Sequence, residues 1–170
     1  MLKIVNDPKE LVYEKLDKFQ KKDYIGQLKA APVLEELFKK CIDVTLEHHI
    51  TDRGRVDIFV AAQTHQGVTT KYAIECKDRD FTSDTFDTCM LNPDKWGWLM
   101  AYKKMGFKPL FLNTFTDNKY MIWDVSTSDW DVGMVEVPIY SVDKSKGTTI
   151  EPRFFLPTES CINQGDLIMS

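Results

Sequence analysis

Asp57, Glu75 and Lys77 are the side chains of this 170-residue chain whose types and spacing suit chemistry. They lie in Arg55-Val56-Asp57-Ile58-Phe59-Val60 and Lys71-Tyr72-Ala73-Ile74-Glu75-Cys76-Lys77, where apolar residues alternate with others at the period of a half-buried strand. Between them Thr64-His65-Gln66-Gly67 reads as a hairpin, with Gly67 last in a three-residue loop where positive φ is needed. That loop opposes Thr64 to Val68, and therefore Val60 to Tyr72, Ile58 to Ile74 and Val56 to Cys76, an apolar face that pins the register. The other face opposes Asp57 to Glu75 and Arg55 to Lys77. Carboxylates about 5 Å apart across a sheet repel, so the pair calls for a cation between them. A metal ion would serve, and Lys77 brings a positive charge to the edge of the same site.

Asp57 followed by Glu75-Cys76-Lys77, each packed among apolar residues, resembles the signature of the PD-(D/E)xK nuclease superfamily. Acid-x-Lys recurs at Asp7-Pro8-Lys9 and Asp117-Asn118-Lys119, but only the copy at Glu75 lies in an apolar strand behind a partner strand bearing an acid. Val56 stands where the family has its proline. The resemblance implies an α/β (α+β) fold with a restriction-endonuclease-like αβββαβ core, a central mixed sheet flanked by helices. It further implies a phage-type or Holliday-junction-resolvase-like enzyme, acting in DNA recombination or repair. Such an enzyme hydrolyses phosphodiester bonds with Mg²⁺, or Mn²⁺ in its place, as a deoxyribonuclease, endonuclease rather than exonuclease, with RNA the alternative substrate.

The same resemblance distributes the roles. Asp57, Glu75 and the backbone carbonyl of Cys76 would ligate Mg²⁺, which favours a few carboxylates and several waters. The bound ion would lower the pKa of its water, and Lys77 would orient the attacking hydroxide and stabilise the growing negative charge. Relatives carry a further acid on the helix before the first strand; Glu35, between Leu34 and Phe38, fits that pattern, with Glu36 the alternative. Lys95 matches a lysine that faces the site in phage-type relatives, a plain surface lysine being the other reading. Arg79 and Arg55 are further candidates for nucleic-acid contact. A different class of function, a nuclease-like fold that binds nucleic acid or protein without cutting, would have no need of the opposed acids.

Local signals define the helices and strands that carry these residues. Asp7-Pro8 caps an N-terminal helical segment over 8–30, with Leu11, Val12, Leu16 and Phe19 on one side. Pro32 interrupts it and opens a second helix to about Lys40 whose apolar face is Val33, Leu34, Leu37, Phe38 and Cys41. Ile42, Val44 and Leu46 alternate as the first strand of a meander, and Thr51-Asp52-Arg53-Gly54 turns into the second. Asn92-Pro93-Asp94 starts a helix that Gly106 stops. Its Trp96, Trp98, Leu99, Tyr102 and Met105 read as core, or else as a platform for stacking bases. Pro109–Phe115 and Lys119–Val125 are strands joined by a turn whose acid-x-Lys is hairpin chemistry. The chain thus reads as a single domain, 1–170, with a nuclease-like core at about 33–125. Accessory strands over 126–170 include Val135–Ile139 and Arg153–Pro157 around a flexible turn at 144–149, and would serve a homodimer or substrate choice.

A net charge of -4 and a pI near 5.4 argue against coating nucleic acid through phosphate contacts alone. Lys15, Lys18, Lys21, Lys22 and Lys29 form one local basic patch, or simply the wet face of helices. The four cysteines lack zinc spacing, and His48 and His49 are adjacent, facing opposite ways on a strand. No apolar run approaches the ~20 residues of a membrane span, and the first residues are polar too soon for a secretory signal. The expectation is a soluble, cytoplasmic protein with reduced thiols and no membrane partner.

Overall fold

The computed structural model describes residues 1–50, 55–140 and 143–167; the turn expected at 51–54 lies outside them. Leu2–Val5 forms β1, followed by short 3-10 turns at Pro8–Glu10 and Tyr13–Lys15. Then come α1 (Lys18–Phe38), β2 (Asp43–His48), β3 (Ile58–Gln63), β4 (Thr69–Asp78), β5 (Thr88–Leu91), α2 (Pro93–Lys104), β6 (Phe107–Thr114) and β7 (Lys119–Asp124). β8 (Asp131–Tyr140), β9 (Asp143–Pro157) and β10 (Asn163–Asp166) complete the chain. Seven strands build one mixed sheet in the order β1-β2-β3-β4-β6-β7-β10, and β5-β9-β8 form a second, smaller sheet. The class is therefore mixed α/β. β1 and β10, both outside residues 33–125, pair at the two edges of the main sheet.

The hairpin register is the expected one from Ile58↔Ile74 through Val60↔Tyr72 to Gln63↔Thr69, closed by Thr64 N–H to Val68 O at 2.9 Å with Gly67 at φ 77°. It fails one step further. β3 begins only at Ile58, and Val56 packs with Ala73, Leu91, Leu99 and Phe111 on the opposite side of the sheet from Cys76. The chain bends at Asp57, so the alternation that held through the ladder does not extend to Val56.

Pro32 does not end a helix. α1 runs through it for 21 residues, opened by a capping box in which Asp17 accepts from Phe19 and Gln20 N–H and Gln20 returns the bond. An internal proline costs about 3 kcal/mol, but Ala30, Val33, Leu34 and Phe38 bury against Val44, Leu46, Ile58 and Ile74 on both sides of it. At roughly 25 cal/mol per Å² of apolar surface, that burial outweighs the lost bond. The expected Asp7 cap is present, its carboxylate accepting from Lys9 N–H, but it starts only a 3-10 turn.

Among the described residues each face of the main sheet carries one helix. α1 packs on the face of Ile58, Ile74, Cys76 and Leu112; Leu99 of α2 packs on the face of Ala73 and Phe111. Buried His48 donates Nδ1–H to Gln27 Oε1 at 3.1 Å, and burial lowers its pKa to about 4, so it stays neutral and locks α1 to β2. α2 is capped as expected, Asn92 Oδ1 accepting from Asp94 N–H and Gly106 at φ 88°. Met105, expected in the core, is 69% exposed, because it falls at the cap beyond the last packed turn. Residues 144–149 belong to β9, paired with β8 from Val137↔Thr149 onward, where a flexible turn was expected. The Asp117 turn does more than close a hairpin: its carboxylate accepts from Ser83 Oγ at 2.7 Å and ties down the loop after β4.

Candidate active site

Where β3 stops, the Asp57 side chain takes over the ladder. Asp57 N–H donates to Ile74 O at 3.0 Å and its carbonyl accepts from His49 N–H at 2.9 Å. Its Oδ2 accepts from the Cys76 N–H at 2.7 Å. A carboxylate thus satisfies a backbone donor that the missing strand pair would have used, which fixes Asp57 beside Glu75. Glu75 projects from β4 on the α2 side with Ala73 and is 0% exposed.

Glu75 meets charge and little else. Lys95 Nζ from the first turn of α2 stands 2.9 Å from Oε2, and Lys77 Nζ stands 3.4 Å from Oε1. No backbone N–H or hydroxyl among the described residues donates to either oxygen. Burial, and then the Asp57 charge, raise its pKa from 4.5 to about 7 against the pull of both lysines. Lys95 also lies 4.0 Å from Asp57 Oδ1 and 3.4 Å from the Arg55 carbonyl oxygen. Burial opposes its charge, but Glu75 and Asp57 outweigh that and its pKa is raised.

Of the acids on α1, Asp23 lies within electrostatic reach of this group, whereas Glu35 lies further along the helix. Burial and the charge of Asp57 raise the Asp23 pKa, while Lys77 and Lys95 pull it down. The geometry of the helix shows why. Gly26 of α1 approaches the backbone of Asp78 at the end of β4, whereas the Phe38 ring packs on Tyr72 near its start, centroids 4.9 Å apart. Glu35 lies twelve residues beyond Asp23, about 18 Å along the axis at 1.5 Å per residue, beside the wrong end of β4. The signal was legible: Asp23 is the only acid between Lys18 and Lys29.

The other candidates separate. Arg79 is fixed by structure, its Nε donating to Asn113 Oδ1 and a terminal nitrogen to the Met90 carbonyl, each at 2.5 Å. Arg55 is exposed, with its guanidinium carbon 3.9 Å from the centroid of the Trp98 ring. Lys29 pairs with Asp78 at 2.8 Å. Lys22 stands at the rim, its pKa lowered by burial and by Lys77.

Among the described residues no three His, Cys, Asp or Glu side chains converge as a metal-holding group; Asp57 and Glu75 form a pair. Their chemistry still fits a divalent cation. Glu75 is a buried carboxylate whose oxygens no neutral donor engages, and such a group needs compensating positive charge. The N–H and C=O of one strand residue point to the same side, so the Cys76 carbonyl faces the opening where β3 has turned away.

Among the described residues no helix is long and apolar enough to cross a membrane. Compared with family models, with curated proteins and with solved structures, the chain gives no match.

Proposed function

We propose that this chain is a metal-dependent nuclease that hydrolyses phosphodiester bonds in DNA, an endonuclease built on a restriction-endonuclease-like core. The observation that carries the reading is Glu75: fully buried, beside Asp57, with only ammonium groups at its oxygens. The order α1, antiparallel β2-β3-β4, then α2 after the short β5, and β6 parallel to β4 supports the αβββαβ reading.

Asp57, Glu75 and the Cys76 carbonyl would hold Mg²⁺ or Mn²⁺, and Asp23 would add to the negative potential at the site. The cation supplies a water of lowered pKa and neutralises charge on the phosphoryl oxygens. Asp57 keeps its orientation through the Cys76 N–H, so one oxygen remains for the ion. Lys77, at the more open side of Glu75, is placed to orient the attacking oxygen and to stabilise negative charge as it grows. Lys95 would withdraw from Glu75 when the cation enters and leave its ammonium for a phosphate.

Labelled linear, circular, single-stranded and branched DNA should be cut with Mg²⁺ and left whole with chelator. Glu75→Gln should abolish the cutting. Lys77→Ala should lose it while retaining metal binding, because the lysine acts on the nucleophile. Cleavage that survives both chelator and Glu75→Gln would remove the proposal.

A second reading, a nuclease-like fold that binds without cutting, is favoured by one observation. The Lys95 ammonium at 2.9 Å already balances Glu75, so the acids have a counter-ion of their own. The same incubation decides: binding without products under Mg²⁺ supports this reading.

A further inference from the structure

Beside the acids the surface opens into a cleft of about 390 Å³ between the N-terminal turns of α1 and α2, its walls including Phe19, Asp23, Arg55, Asp94, Lys95 and Trp98. One of these reaches the proposed site directly, since Lys95 Nζ stands 2.9 Å from Glu75 Oε2. Whatever fills the cleft therefore sits against the acids.

Charge is not what the cleft offers. Arg55 and Lys95 are matched by Asp23 and Asp94, so a phosphate chain gains little net attraction there. It offers planes instead. The guanidinium carbon of Arg55 lies 3.9 Å over the centroid of the Trp98 ring, and Arg55 is exposed, so the pair presents planar groups to the cleft. Guanidinium planes and aromatic rings are the surfaces on which unpaired bases stack. At about 390 Å³ the cleft lies near the lower end, about 300 Å³, of pockets that hold small molecules. That is room for one nucleotide and not for a duplex, whose bases must leave the helix to enter such a pocket.

We infer that the cleft holds one unpaired nucleotide of the substrate, its base stacked on the Arg55–Trp98 pair, so that the protein acts on single-stranded or branched nucleic acid. The inference rests on the nuclease reading for the cleavage step, but the binding itself needs no metal.

The test is fluorescence anisotropy of the whole protein in chelator, with labelled thymidine and uridine oligomers, a fully paired duplex and a duplex carrying a flap. The oligomers and the flap should bind well and the duplex weakly, the deoxy and ribo arms showing which sugar is preferred. Trp98→Ala and Arg55→Ala should each weaken single-strand binding roughly tenfold, the worth of one stacked base. Arg55→Lys keeps the charge but loses the plane, and should weaken binding nearly as much; Arg55 is exposed, so these variants fold whatever becomes of Trp98→Ala. Duplex bound as tightly as single strand, or Arg55→Lys binding as well as the original, would overturn the inference. Single-strand preference without cleavage under Mg²⁺ would uphold it and sink the nuclease reading, whereas cleavage by a protein indifferent to strandedness would do the reverse.

Discussion

The ammonium of Lys95 stands 2.9 Å from Glu75 Oε2 and 4.0 Å from Asp57 Oδ1, within reach of both carboxylates. Opposed acids demand a cation, and in the protein alone the first turn of α2 supplies one. A divalent ion entering the proposed site would have to compete with this lysine. The competition makes the role of Lys95 measurable apart from catalysis.

Lys95→Met should lower stability without metal and raise the affinity for Mn²⁺. Removing one partner of a buried ion pair costs about 3 to 5 kcal/mol. Here the cost is capped, because Glu75, already near 7, takes up a proton instead. Urea denaturation with and without Mn²⁺ reads both effects. Unchanged stability together with weaker Mn²⁺ binding would make Lys95 part of the metal site instead of its rival.

Stability of the metal-free protein should fall as pH rises through the window between about 4.5 and 7. Glu75 has its folded pKa raised to about 7 from 4.5, so within that window the folded state holds a proton that the unfolded chain has released. Stability then declines with pH and levels off above the folded value, a loss on the order of 3 kcal/mol. Asp23 is shifted in the same direction. Unfolding free energies in chelator near pH 5 and pH 8 test this, and Glu75→Gln should remove most of the slope. A slope unaltered by that change would assign it to other groups.

How far the sequence could be read depended on the range of the interaction concerned. The hairpin was legible because Gly67 and the apolar pairs act locally and agree, down to Ile58↔Ile74. Val56 was misplaced because its side was decided by a bend that Asp57 makes with Cys76 and His49, a long-range bond that alternation does not encode. Pro32 misled in the same way: local propensity favours a break, and burial of Val33, Leu34 and Phe38 overrides it. Glu75 and Lys77 could be singled out because they lie in the strand paired by that hairpin, and Lys95 because it follows the Asn92 cap; the structure brings their side chains together with Asp57.

Mg²⁺ or Mn²⁺ should raise the melting temperature, and Asp57→Asn should abolish the rise. Asparagine can still accept from the Cys76 N–H, so the bend survives while the charge is lost. A ligand that binds only the folded state at a hundred times its Kd stabilises by about 2.7 kcal/mol. Thermal unfolding of both proteins across a metal titration measures it. An equal rise in each would place the ion elsewhere.

Asp23→Asn should lower cleavage tenfold or more, and Glu35→Gln should leave it nearly unchanged, although the sequence pattern gave the helix acid's role to Glu35. Asp23 lies within the electrostatic reach of Asp57, Lys77 and Lys95, with its own pKa raised by burial and by Asp57. Glu35 stands about three helical turns away at 3.6 residues per turn. Asp23→Asn keeps shape and removes only charge, so its unfolding free energy should not fall; relieving the repulsion with Asp57 should raise it slightly. A loss of activity accompanied by gained stability is the pattern expected of a charge kept for chemistry at a cost in stability. Cleavage rates and urea denaturation on the two variants are sufficient. Full activity in Asp23→Asn with loss in Glu35→Gln would move the site toward the start of β4, and Asp57 and Glu75 would then have to be explained without it.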